Sequence, residues 1–287
     1  NNLITISKLV PLALFIAIGI FFINGANFTP VFPQDTYVDG SFAQAAVLLF
    51  FAYTGFEVIA IAAEDMKNPK KNLPRAIIMC MLLVSVLYMA ILAVSIGVLG
   101  SDLANTKAPV QDAFNVIVGP IGMYVVLVGT LISMGGINFA EAYYAPRVAT
   151  SMAEDGMLPS ALAKRNRYNA PYVAAIVTAI ASVLLAWSGS FTTLAAISAV
   201  SRFTQYLPTC LAVIIFRRKW ADKTRSYTIP GGYLIPVIAI GTSLWMLAQA
   251  QTNQLLWGLG GCIVILPFYY SYWKKKKAGL IKDHDEM

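Results

Sequence analysis

Apolar residues gather into eight long runs in this chain, at about residues 9–25, 43–63, 76–100, 119–145, 172–188, 191–216, 233–250 and 255–273. Runs of roughly 17–27 residues suffice to carry a helix across ~30 Å of hydrocarbon. Inside lipid every backbone N–H and C=O must find a partner within the protein. Only helices and closed barrels satisfy that condition, and barrel strands need just ~9–11 residues. The runs therefore predict an all-α polytopic membrane protein of about eight transmembrane helices. Composition agrees: 58% of the residues are hydrophobic and 12% charged, against about 45–50% and about 25% in soluble domains.

Charge placement predicts an orientation. Of 21 Lys and Arg, 18 lie in four segments, 67–75, 147–167, 217–225 and 274–282. The alternate connections hold Lys107 beside Asp35, Asp39, Asp102 and Asp112. Basic residues stay on the cytoplasmic side, so both ends of the chain are expected there, in a plasma membrane. The net charge of +7 then reflects topology and attraction to anionic lipid heads, not a nucleic-acid surface. Trp220, Trp257 and Trp273 stand at span ends as interfacial anchors, and Pro230–Gly231–Gly232 is a loop signal before the seventh span.

Several classes drop out. Cys80, Cys210 and Cys262 are isolated within apolar runs, with neither disulfide nor metal spacing. The single histidine, His284, sits in the polar tail. No catalytic triad, zinc set or phosphate loop occurs, so an enzyme, a metal site and a cofactor are not expected. The opening "NNLITISKLV" has no initiator methionine and no signal peptide, and reads as an internal start within a longer protein.

One stretch breaks the apolar logic. "FFAYTGFEV", residues 50–58, puts Tyr53, Thr54, Gly55 and Glu57 at the centre of the second run. A carboxylate at mid-membrane costs ~2.5–3.5 kcal/mol even on the lenient insertion scale. Irregular backbone at that depth persists where protein or a wet cavity surrounds it, and interrupted helices build many transporter binding sites. The alternative is a continuous helix whose Gly55 lets a neighbour approach.

The residues that follow bear on that choice. "FFAYTGFEVIAIAAEDMKNPKKNLPRAI" resembles the sixth-helix signature of the amino acid–polyamine–organocation permeases. "APRVATSMAEDGMLPSALAKRNRYNAPYVAA" resembles the loop after that family's eighth helix, and "NNLITISKLVPL" is similar to the start of its fifth. The resemblance implies a leucine-transporter-like inverted-repeat fold, incomplete here, with the first four helices of the usual twelve missing. Residues 1–26 would be the last helix of the first repeat and 43–216 the second five-helix repeat. Residues 233–273 would be two peripheral helices, and 274–287 a cytoplasmic tail.

The resemblance also implies roles. Phe51, Ala52, Tyr53, Thr54 and Gly55 match the family's unwound segment, where carbonyls receive an amino acid's ammonium group and an aromatic at Phe51 closes over it. Burial penalises the charged form of any titratable group, which makes Glu57 and Lys8 candidate proton carriers. For Glu57 a structural hydrogen bond to a neighbouring helix is the equal alternative. Lys8, just before the first span, is either a snorkelling anchor or an ammonium standing where related carriers hold sodium, with Ser133 as its hydroxyl partner. Glu141 is expected at the interface near the cytoplasmic face and Arg202, deeper, to have a structural partner; the two could also pair. "KNPKKNLPR" reads alone as a solvated basic loop, and by resemblance as part of inward gating.

The function expected is secondary transport of an amino acid, by proton-linked symport or exchange, through alternating access around a broken midplane helix. A self-standing eight-span channel and a non-transporting amino acid sensor are the rivals. With one side of the site on helices outside this chain, the isolated chain is expected to show no uptake in liposomes.

Overall fold

The computed structural model describes residues 2–29, 40–57, 59, 66–221, 225, 227–228 and 231–277. Asp35, Asp39, the second run beyond Ile59, Lys223, Pro230, Lys282 and His284 lie outside the described residues, as does the side chain of Cys262. Among the described residues there are nine α-helices and no strand. They are α1 (Asn2–Gly19), α2 (Ser41–Ala52), α3 (Pro69–Leu99), α4 (Pro109–Val118), α5 (Pro120–Glu154), α6 (Tyr172–Ser188), α7 (Phe191–Lys219), α8 (Leu234–Gln249) and α9 (Thr252–Lys277). Five are long and apolar enough to cross a membrane, while α2, α6 and α8 are shorter apolar helices; each of the eight falls on one expected run, α2 on the first half of its run only. Side chains such as Phe21 and Trp187 are 84% and 86% exposed, a surface that suits lipid and not water.

The borders depart from the expected spans for identifiable reasons. Lys8 lies inside α1 and not before it, because the polar start "NLITIS" continues as helix although it interrupts the apolar count. The basic stretch 67–75 is not a loop. Pro69 opens α3 and carries Lys70, Lys71 and Pro74 into it, since proline's fixed φ suits a first helical position. Ahead of it Asn68 turns left-handed (φ 51°), and its carbonyl accepts from the amides of Lys71 and Asn72, both at 3.0 Å.

Helix α5 runs past residue 145 to Glu154. It stops in a left-handed C-cap at Gly156 (φ 78°), where the amide of Met157 reaches the Met152 carbonyl at 2.8 Å and that of Gly156 the Ala153 carbonyl at 3.1 Å. Helix α4 was not expected from run length. Its signal is periodic: Val110, Ala113, Phe114 and Ile117 repeat at helical spacing, and the last three are buried. Pro109 starts it and the Thr106 hydroxyl bonds the Asp112 carboxylate in its first turn.

The chain divides into two compact units. One comprises Asn1–Tyr37 and Ile78–Tyr143, the other Val38–Ile77 and Tyr144–Met287. The first has its core at Phe15, Val94, Ala113, Phe114, Ile117 and Val126, with Phe15 set edge-on to Phe114 at 5.6 Å. Gly129 lets α1 close on α5: a Cβ there would stand 2.6 Å from Pro11. In the second unit α7 is the hub, packed by α2, α8 and α9.

Candidate functional site

Helix α2 is short because its sequence stops it. Twelve residues rise ~18 Å at ~1.5 Å each, little more than half a bilayer. Tyr53 caps it, donating its amide to the carbonyls of Phe50 and Phe51. The Thr54 amide (3.0 Å) and hydroxyl (2.7 Å) both turn back onto the Phe51 carbonyl. Thr54 thus serves a backbone group that the break sets free. Gly55 follows at φ 105°, a conformation that side chains other than hydrogen rarely adopt, and among the described residues, its chain neighbours aside, no atom lies within 4 Å of where its Cβ would be. Gly55 is there for its backbone freedom and not for close packing.

Past the break the chain is held by Glu57. Its Oε2 accepts from the Gly55 amide at 2.9 Å and from the Tyr206 hydroxyl at 3.1 Å. Its Oε1 is ion-paired with the guanidinium of Arg202. The Glu57 side chain is 17% exposed, so the contact is largely withdrawn from solvent, where removing one partner strands the other charge. Arg202 and Tyr206 are four residues apart on α7, hence on one face, and the broken segment docks on that face.

Aromatic stacking fixes the docking. Phe50 stacks on Phe203 at 4.7 Å and meets Tyr206 edge-on at 5.8 Å; Phe56 lies against Tyr206 at 5.9 Å. Such pairs are worth ~0.5–1.5 kcal/mol beyond the area they bury. Beneath them Val47, Ala196 and Ala199 form a buried cluster with Phe50, Phe51 and Met246 against it. Phe51 is half-buried, its ring edge-on to Phe191 at 6.1 Å at the start of α7. Ala52 is exposed and Tyr53 partly buried.

Lys8 and Ser133 belong to the other unit. They line one cavity of about 370 Å³, together with Tyr88 and Thr130 and a wall that includes Pro11 and Gly129. Apart from Lys8 its lining carries no charge. The partner of Arg202 is Glu57, and Glu141, the other acid that could have paired with it, is exposed on α5.

Sequence reasoning named Arg202 without its role and passed over Tyr206. Both had a signal. Arg202 is the one charged residue in 172–216, and Tyr206 follows it by one helical turn.

Long apolar helices with an interrupted helix anchored at its break define a polytopic α-helical membrane protein whose break is the candidate site. The amino acid permease family model matches residues 1–272, and the chain belongs to that family. It is similar to the branched-chain amino acid permease BcaP of Bacillus subtilis, 29% identical over 282 residues, 96% of this chain and 59% of BcaP. It is also similar to the methylthioribose transporter of that organism, 29% identical over 280 residues, 96% of this chain and 59% of the relative. The serine/threonine exchanger SteT, again from Bacillus subtilis, is 29% identical over 286 residues, 97% of this chain and 65% of SteT. The chain thus spans less than two thirds of the length of these relatives.

Proposed function

We propose that the protein containing this chain is a secondary amino acid transporter of the plasma membrane. It works by alternating access, with the break in α2 as one wall of its site. The observation that carries this is the α2 terminus: a helix interrupted at Tyr53–Gly55, with Phe51 seated beside it and Glu57 tied back onto the Gly55 amide. An interrupted helix offers oriented backbone dipoles to a zwitterion at little desolvation cost. Because the Phe51 carbonyl already accepts from Thr54, carbonyls further along the break are the ones offered to an ammonium group, and Phe51 contributes its ring as a lid. Relatives named for branched-chain amino acids and for serine and threonine support an amino acid as the cargo.

Proton linkage belongs to the same proposal, with Lys8 and Ser133 around their cavity as its seat. Of the two roles open to Glu57, its contacts with Arg202, Tyr206 and the Gly55 amide favour the structural one. The repeat assignment of 1–26, 43–216 and 233–273, and cytoplasmic ends inferred from the basic segments, complete the reading. The test is uptake of radiolabelled amino acids into proteoliposomes holding the complete gene product. Saturable uptake that collapses in Phe51→Ala supports it; a purified, folded protein that carries none of the twenty amino acids would falsify it.

A further inference from the structure

We infer that Arg202 sets the charge class of the substrate: by neutralising Glu57 it suits the site to amino acids without net charge and turns cationic ones away. This rests on the transporter reading above and adds to it a specificity-determining residue. Three observations carry it. Glu57 is the only charge in 41–57, Arg202 the only charge in 172–216, and 233–273 holds none. The two thus account for the field that these segments create at the break.

The carboxylate is also at the break itself and not merely near it, because its Oε2 accepts from the Gly55 amide at 2.9 Å. Finally, Oε1 of Glu57 is buried and has no hydrogen bond among the described residues, so the Arg202 guanidinium is its counter-charge there. Remove that counter-charge and a bare carboxylate faces the ligand space in a poorly screening setting, where a passing cation is strongly attracted. With Arg202 in place, the pair presents a dipole and the site reads shape, not charge.

The experiment uses the complete protein in proteoliposomes and measures kcat/KM for leucine, serine, lysine and glutamate. The wild type is expected to carry leucine or serine in strong preference to lysine. In R202Q the lysine-to-leucine ratio should rise by about tenfold or more, the scale of an unscreened charge contact. In E57Q the uncompensated arginine should move preference towards glutamate. R202K and the double variant E57Q/R202Q should both keep the wild-type ratio, so that the shift follows the net charge of the pair; a merely structural role predicts no shift in any variant.

An R202Q protein that transports with an unchanged ratio overturns the inference. So does a wild type that carries lysine as well as leucine, whatever the fate of any variant. A wild type carrying no amino acid removes the transporter reading first, a result distinct from transport without the selectivity shift.

Discussion

Lys8 and Glu57 both lie within apolar helical surroundings, and the fold treats them in opposite ways. In one unit Lys8 lines a cavity together with Tyr88, Thr130 and Ser133 and, among the described residues, no acidic group. In the other Glu57 is clamped by the Arg202 guanidinium, the Tyr206 hydroxyl and the Gly55 amide. A clamped charge holds structure together, since it fixes the groups that it contacts. A charge left facing hydroxyls in a cavity is available to respond to what enters. On the proposed reading, Glu57 serves the architecture of the break and Lys8 the proton linkage.

The sharpest way to break that contrast is to unclamp Glu57. Arg202→Ala should lower unfolding stability in detergent by about 3–5 kcal/mol, the usual result of leaving one charge of a buried pair behind. A melting curve will register this, and Glu57→Gln with Arg202→Gln together should cost clearly less than either alone. A drop in Arg202→Ala no larger than that of an exposed lysine would mean that Glu57 is not clamped at all.

Next in size is Gly129→Leu, aimed at the wall of the Lys8 cavity. Its side chain would collide with Pro11 on α1, and overpacking of this kind costs about 1–3 kcal/mol. The melt should fall accordingly while the break in α2, which belongs to the other unit, keeps its ligand preference.

Gly55→Ala probes the break by strain alone, because no atom stands near its Cβ position. Holding alanine at φ 105° costs about 1–3 kcal/mol. Uptake should fall further than stability does, since the carbonyls of the break are re-aimed. Equal losses in both would reduce the glycine to a structural hinge.

The smallest stability effect belongs to Lys8→Met. With no acidic partner among the described residues, its removal should change unfolding stability by about 0.5 kcal/mol or less. Its mark should appear elsewhere, in the response of uptake to an imposed proton gradient. If that response survives in Lys8→Met and disappears in Glu57→Gln, the two roles are reversed.

Legibility in the sequence followed the range of the interaction. The break was readable because its parts are close in sequence: Tyr53, Thr54, Gly55 and Glu57 fall within five consecutive positions, and a glycine between polar residues inside an apolar run has few structural meanings. The C-cap of α5 was also local, written in Asp155–Gly156, yet run length concealed it because hydropathy ends before the helix does. Helix α4 was missed for the complementary reason: it has the helical period but too few residues to stand out as a span. For Lys8 the apolar count began after the lysine, although helix propagation needs backbone bonds and not hydrophobicity.

Run length and the bilayer's intolerance of unpaired backbone groups determined, from sequence alone, that this protein is a bundle of helices crossing a membrane. Local chemistry likewise determined where one of those helices is interrupted. Which side chain answers Glu57 was decided by tertiary structure. Tyr206 lies 149 positions away, Glu141 was an equally charged candidate for Arg202, and no local rule ranks partners at that separation. The choice follows from α2 and α7 packing through Val47, Ala196 and Ala199. Small residues let those two helices approach, and their register brings the Arg202 guanidinium to the Glu57 carboxylate.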